Sequence, residues 1–320
     1  MMVVVCKKII RKHRAVILFY HRFGNQENGQ RLLPYTDIHD FEKQIVYLKN
    51  LYDFMTMDEI TKMLKDGRKF AKPSVVLTMD DGYADNYLLA YPVLSKYEIP
   101  AIIFLTIGLI GTRVSLWVDD IEYALTHARV QTLRLEELGN ELIDISFVEG
   151  KRKAEKMLYS SMVKLENCER QKIIGKLFDV LQVNGSQIKN KPRRMLNWEE
   201  IVEMSRGGIT FGAHTMSHPC LSNMATEIAR DEIAMSKEIL ETYVKTPVKH
   251  FAVPNGKEED FTNELREYCR KIGLESVVTT EPGVVDSNDD RFRLKRVLPT
   301  PPLYYFACEI ARYLFFGKTA

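Results

Sequence analysis

Ser74-Val-Val-Leu-Thr-Met-Asp-Asp-Gly-Tyr83 sets two adjacent carboxylates and a glycine at the end of a short β-branched apolar run. Such a run, closed by turn residues, predicts a strand. Comparable runs recur at Ala15 to Tyr20, Tyr52 to Met55, Ala101 to Leu105, Ile209 to Ala213, His250 to Val253, Ser276 to Thr279 and Arg293 to Val297. Helical patterns lie between them. Thr56 followed by Glu59, and Asn197 followed by Glu200, fit capping boxes, while Gly67 and Gly207-Gly208 stand where those helices should stop. Strands alternating with helices imply parallel strands with crossover connections. For 320 residues the reading is a single α/β barrel domain, residues 1–320, carrying an insertion.

The insertion, at about 113–192, breaks the rhythm. A helix is expected near Asp120 to Ala128, alternating residues fall near Thr132 to Leu135 and Leu142 to Phe147, and two charged amphipathic helices fill Lys151 to Val183. Placed on the barrel rim, it is either decoration or a lid over the site.

Composition excludes several classes. Hydrophobic residues make up 45% and charged residues 28%, the balance of a chain with a substantial core. A net charge of +2 and no basic tract interleaved with aromatics argue against nucleic-acid binding. The five cysteines, Cys6, Cys168, Cys220, Cys269 and Cys308, are scattered without C-x-x-C spacing, so neither a disulfide framework nor a thiolate metal site is expected. The apolar stretch Met1 to Cys6 is shorter than the roughly 7–15 residues of a signal-peptide core, so the expected location is cytoplasmic, at the membrane surface if the substrate is a membrane-borne precursor. No run of about 18 apolar residues occurs. The aromatic C-terminal stretch Leu303 to Phe316 reads as a packing helix, with peripheral membrane contact as the second reading.

Polar residues cluster where the strand candidates end: Tyr20-His21, Thr78 to Asp81, Thr106, His214, Pro254-Asn255, Thr279-Thr280 and Arg296. In a parallel barrel those ends share one face, and a catalytic site forms there. His214 and His218 are four apart, so a helical turn after Ala213 would point both rings one way. With Asp81 they make two imidazoles and one carboxylate, a set used for catalytic zinc, though Co2+, Ni2+ or Mn2+ would also fit. Asp80 is then spare as a general base toward an attacking water. Hydrolysis of an amide or ester follows from that division of labour. Arg296 could pair with Asp80 and keep it ionised, and His21 could reach the site from the end of the first strand.

These segments resemble the polysaccharide deacetylases, carbohydrate esterase family 4. Leu77-Thr78-Met79-Asp80-Asp81-Gly82 is similar to the family's Thr-Phe-Asp-Asp-Gly motif, and His214-Thr215-Met-Ser-His218 to its His-Ser/Thr-x-x-His motif. Further likeness covers the strand ending Tyr20-His21, Leu196-Asn-Trp198, His250-Phe-Ala-Val-Pro254-Asn-Gly256 and Val277 to Gly283. The resemblance implies a distorted (β/α) barrel, often seven-stranded, that removes acetyl groups from N-acetylated sugars with a divalent ion. It implies Asp80 as base, Asp81, His214 and His218 as metal ligands, and Thr215 as a residue holding the second loop. With Pro254, Asn255 and Tyr83, Thr215 is also expected along the substrate site.

Two departures stand out. Phe251 and Asn255 flank the third motif where the family usually has an arginine and an aromatic, so Trp117, Tyr83 or Trp198 would have to supply the sugar-facing wall. The family's Leu-x-His motif has no counterpart, since no histidine follows His250, and the group that protonates the leaving amine is unassigned. The expected activity is therefore N-deacetylation of N-acetylhexosamine units in a polysaccharide or lipid-linked glycan. An O-acetyl esterase or other amide hydrolase on the same barrel, and a non-catalytic carbohydrate-binding barrel, are the alternatives.

Overall fold

The computed structural model describes residues 14–25, 32–184 and 194–316. His13, Cys6 and the apolar N-terminal stretch lie outside them, as do residues 185–192 at the end of the expected insertion.

Seven parallel strands form the ring: β1 Ala15–Tyr20, β2 Ser74–Met79, β3 Ala101–Leu105, β4 Ile209–Ala213, β5 His250–Ala252, β6 Ser276–Pro282 and β7 Leu294–Arg296. Each pairs with the next in chain order. The ring closes where Val297, just past β7, bridges Leu18, with Phe19 N donating to Val297 O at 3.1 Å and Val297 N to Ile17 O at 2.8 Å. The chain thus adopts the (β/α) barrel. The expected strand at Tyr52 to Met55 shrinks to Asp53–Phe54, pairing only with the first residues of β2. It stays outside the ring because β1 already lies along the full length of β2, from Ala15↔Ser74 to Tyr20↔Met79.

The strands are apolar on both sides because both sides are covered. With a period of two, Val16, Leu18, Val75, Leu77, Ile103 and Phe211 face the surrounding helices, in one continuous core. Ile17, Val76, Ile102, Phe104, Ala252, Val278 and Leu294 form a separate cluster in the lumen, joined by Met57, Ile60 and Leu64 of the helix Met57–Lys65. Gly212 has to be glycine here, since a Cβ would come within 2.5 Å of the Phe104 ring. Continuing the same alternation upward puts Thr78 and Asp80 above Val76, and Arg296 above Leu294, at the open end of the lumen.

Both expected capping boxes form, Thr56 with Glu59 and Asn197 with Glu200. Between β3 and β4 lie helices α1 Trp117–Thr126, α2 Val148–Met162 and α3 Asn167–Val180, and the antiparallel pair Thr132–Leu133 with Ile143–Asp144. They enclose an apolar core of their own that includes Trp117, Ile121, Leu133, Leu158 and Phe178. The C-terminal helix Leu303–Phe316 buries Phe306, Ile310, Tyr313 and Leu314 in the main core and leaves Tyr304 and Tyr305 exposed. No described helix is long and apolar enough to cross a membrane.

Candidate metal centre and its surroundings

Two loops build the centre. After β2 the ladder continues through Asp80, whose N–H donates to Tyr20 O at 2.9 Å. Asp81 then turns left-handed at φ 74°, a conformation costing roughly 1–3 kcal/mol for a non-glycine residue. The reversal sends adjacent carboxylates to different tasks. Asp80 faces the lumen, and Asp81 faces the loop after β4.

That loop is not a helical turn, contrary to the reading from spacing. Thr215 and His218 are both left-handed, at φ 66° and 56°. The loop is held from several sides instead. Thr215 Oγ1 donates to His214 O and accepts from His218 N at 3.0 Å. Ile107 N and Gly108 N donate to Thr215 O and Met216 O at 3.0 and 2.9 Å. Gly108 permits this approach, because a Cβ there would sit 2.5 Å from Met216 O. On the far side the Glu232 carboxylate accepts from Met216 N, Ser217 N and Ser217 Oγ at 2.8, 2.9 and 2.7 Å.

The result brings His214 Nε2 and His218 Nε2 each within 3.4 Å of Asp81 Oδ1. All three donor atoms lie within 4.8 Å of one another. Metal bonds of about 2.0–2.1 Å in a tetrahedron give donor separations of roughly 3.3–3.4 Å, so two edges already have the length a zinc-sized ion requires. Asp81 Oδ1 is buried and accepts no hydrogen bond among the described residues, an orphaned oxygen that coordination would satisfy. His214 Nδ1 lies 2.7 Å from Ala252 O. A carbonyl only accepts, so Nδ1 carries the proton and Nε2 presents its lone pair to Asp81, the outer-sphere arrangement typical of a ligating histidine.

Electrostatics agree with that donor set. Burial pushes His218 down to about 4, helped by the nearby His214, His21 and Arg170 charges and opposed by Asp81; a neutral imidazole is the form that binds metal. Burial opposes ionisation of Asp81, but the facing His214 and the positive charge that His218 and His21 can carry prevail and hold it below the usual carboxylate range. For His214 burial is outweighed by Asp81 and Asp80, which raise it. A proton between His214 and Asp81 and a divalent cation compete for one position.

Asp80 is clamped by Arg296, Nη1 to Oδ1 at 2.8 Å and Nη2 to Oδ2 at 2.7 Å. Arg296, fully buried, also donates to Thr279 O at 2.8 Å and Thr78 Oγ1 at 3.1 Å and stacks 4.5 Å over the Phe19 ring. Burial would raise the Asp80 carboxyl, but the Arg296 charge and its hydrogen bonds carry it below the ordinary value. His21 Nε2 lies 3.9 Å from Asp80 Oδ2 with its side chain 38% exposed. Asn86 Nδ2 donates to His21 O at 2.8 Å.

The four expected substrate contacts separate. Asn255, left-handed at φ 61°, is half-buried at the mouth. Thr215 and Pro254 are buried, Thr215 because both hydrogen-bonding roles of its hydroxyl serve the loop. Tyr83 is 3% exposed, packed with Leu116 and Met195 and 5.5 Å from the Arg22 guanidinium, so its ring is closed off from the mouth. Trp198 stacks on Tyr243 with 3.7 Å between centroids. His250 sits at the other end of the barrel, its Nδ1 2.8 Å from Ser276 Oγ and its Nε2 3.4 Å from Asp58.

Sequence reasoning missed Glu232, whose place on the following helix Thr226–Val244 leaves no local pattern with the loop, and a buried charge cluster at the root of the insertion. There Arg22 and Arg194 meet Asp119 and Glu122 of α1, with Arg22 Nη2 3.1 Å from Glu122 Oε2 and Nη1 3.5 Å from Asp119 Oδ1. Glu122 Oε1 also accepts from Leu32 N and Leu33 N, each at 3.0 Å.

A mononuclear donor set beside a clamped carboxylate, at the C-terminal mouth of a parallel barrel, defines the layout of a hydrolase. Residues 67–143 and 174–277, more than half of the chain, match the family model described as polysaccharide deacetylase, and the chain belongs to that family. It is 23% identical to the Bacillus subtilis (strain 168) protein YxkH, which bears the family's name, over 286 residues covering 89% of this chain and 71% of that one. A shorter match, 73 residues at 44% identity, covers 22% of this chain and 24% of the poly-β-1,6-N-acetyl-D-glucosamine N-deacetylase of Staphylococcus aureus (strain MSSA476). Among solved structures, the Streptococcus pyogenes deacetylase PplD in complex with acetate is similar in fold, with a TM-score of 0.59 at 18% identity over 91% of this chain and 94% of that one.

Proposed function

We propose that the chain is a metal-dependent deacetylase that removes N-acetyl groups from N-acetylhexosamine units of a polysaccharide or lipid-linked glycan. The observation carrying this reading is the convergence of Asp81, His214 and His218 on one point with Asp80 held ionised beside them. The local likeness to an N-deacetylase of a β-1,6-linked N-acetylglucosamine polymer favours an amide over an ester.

Asp81, His214 and His218 would hold the ion, which when bound supplies Lewis acidity toward the acyl oxygen and lowers the pKa of water. Zinc suits this mixed nitrogen and oxygen set best. Asp80 takes the proton of the attacking water. Arg296 orients the Asp80 carboxylate while leaving each oxygen a free lone pair. His21, close to Asp80 and open to solvent, is positioned to deliver a proton to the leaving amine, the task that no histidine after His250 can perform.

Acetate release from N-acetylglucosamine oligomers tests the reading, with wild type, Asp80→Asn and EDTA-treated protein with and without added Zn2+. Release by wild type, its loss in Asp80→Asn with zinc still bound, and its recovery when zinc is returned are expected. Release only from O-acetylated sugars would make the chain an esterase. Oligomer binding with no release under any divalent ion would make it a binding barrel.

A further inference from the structure

The insertion brings an aromatic ring to the mouth that none of the family-like segments contains. Tyr159, on α2, stacks on Trp117 of α1 with centroids 5.4 Å apart and planes at 15°. Trp117 is buried and also lies 5.3 Å from the guanidinium of Arg170, itself buried. Tyr159 is 38% exposed. With one face covered by the indole, its open area lies on the opposite face and edge.

Its position at the mouth is fixed through three ties between the insertion and the barrel. The hydroxyl donates to Asn255 Oδ1 at 3.5 Å, and Asn255 lies three residues past Ala252, whose carbonyl holds the His214 ring. The turn between α2 and α3 is tied to the loop after β4, where Asn223 Nδ2 donates to Lys164 O. The start of α1 is anchored by the Arg22 and Arg194 pairs with Asp119 and Glu122. Through Asn255 the ring is joined to the end of β5, whose Ala252 carbonyl holds the His214 ring, so it is not a remote surface aromatic.

Resting on the deacetylase reading, we propose that Tyr159, backed by Trp117, is a substrate-binding residue: its open face stacks on the pyranose ring of the sugar unit next to the one being deacetylated. Aromatic rings are suited to this because the apolar C–H face of a pyranose packs on a flat π-surface. Asn255 offers the polar edge of the same subsite. Its Oδ1 is taken by Tyr159 and its carbonyl by Thr280 Oγ1 at 2.7 Å, which directs the amide Nδ2 to a sugar oxygen. The insertion then sets the enzyme's preference for chains over single sugars.

The test compares wild type, Tyr159→Ala and Tyr159→Phe on N-acetylglucosamine and on its tetramer. An aromatic contact of this kind corresponds to a rise of about threefold to tenfold in KM for the tetramer in Tyr159→Ala. That rise exceeds any change in its kinetics on the monosaccharide. Tyr159→Phe keeps the ring, loses only the bond to Asn255, and raises KM by less than Tyr159→Ala. An active wild type whose tetramer KM is unmoved by Tyr159→Ala would overturn the stacking proposal alone. Equal damage from Phe and Ala would overturn it too, reducing Tyr159 to a hydrogen-bonding brace for Asn255. Should wild type release no acetate, the deacetylase reading fails, and calorimetry of the tetramer, now free of turnover, decides the platform by whether Tyr159→Ala weakens binding.

Discussion

Replacing Arg296 by Met puts the organising charge pair of the barrel mouth to a quantitative test. Arg296 is fully buried and Asp80 is 2% exposed, and the two share both carboxylate oxygens at 2.8 and 2.7 Å. Methionine fills most of the stem's volume beside Phe19 but leaves a buried carboxylate without its bidentate counter-charge. Breaking a buried pair from one side costs about 3–5 kcal/mol. For 320 residues, an unfolding entropy of about 2.1 cal/mol/K per residue turns that into a fall in Tm of roughly 5–7 °C at pH 7. The paired variant Arg296→Met/Asp80→Asn removes the stranded charge, so it should be more stable than Arg296→Met alone, with a coupling energy of at least about 2 kcal/mol in the double-mutant cycle. Thermal unfolding by circular dichroism measures all four corners.

Catalysis should respond in a way that stability does not. Without Arg296 the main offset to the burial that raises Asp80 is gone, with only the weaker influence of His214 and His21 left, so the acidic limb of the kcat/KM profile moves to higher pH in Arg296→Met. A Tm within about 2 °C of wild type, or a double variant destabilised by the sum of the single changes, would refute the reasoning. Either result would mean that the mouth tolerates Asp80 without a partner and that the clamp is incidental.

Three further outcomes follow from the same geometry. Glu232→Gln offers one acceptor oxygen where the loop presents three donors, so zinc affinity, measured by competition with a chromogenic chelator, should fall about 10–100-fold while the fold persists; unchanged affinity would remove Glu232 from the site. His21→Asn should lower kcat by about 10²–10⁴-fold with zinc content intact if His21 delivers the proton, and a kcat within twofold of wild type would return that role to solvent. Asp119, deeply buried beside Glu122 despite Arg22 and Arg194, is pushed up to about 6 by burial. A carboxyl held above its unfolded pKa of about 3.9 binds its proton more tightly when folded. Wild type should therefore gain up to about 3 kcal/mol relative to Asp119→Asn as pH falls from 7 to 4, and parallel Tm profiles for the two proteins across that range would contradict this.

What was legible from the chain was whatever backbone periodicity determines. β1 and β3 coincide with their apolar runs because a strand covered on both faces has no polar residue to blur its limits, and β4 does so although Thr210 is exposed; the two capping boxes formed because their partners lie three residues apart. Asp80, Asp81, His214 and Arg296 were found for the same reason, each standing where a strand runs out. Tyr159 and Asp119 were not found, since an aromatic on an amphipathic helix reads as packing and an acidic residue in a first helical turn reads as a complement to the helix dipole. Their actual partners, Asn255 and Arg22, are about a hundred residues away.

The loop after β4 shows how a sound conclusion can rest on the wrong conformation. Four-residue spacing does bring the His214 and His218 rings together, with centroids 4.9 Å apart, but no helical hydrogen bond holds them. Left-handed Thr215 and His218 do, braced by Gly108 on one side and Glu232 on the other. A helix would carry its own ladder and keep the rings aligned after the loss of any one outside contact. This loop has little internal bonding beyond the Thr215 hydroxyl, so its alignment is borrowed from neighbouring elements. Metal affinity should accordingly be more sensitive to Glu232 than to changes of the Met216 side chain, since the anchor points are the Met216 and Ser217 N–H groups and the Ser217 hydroxyl.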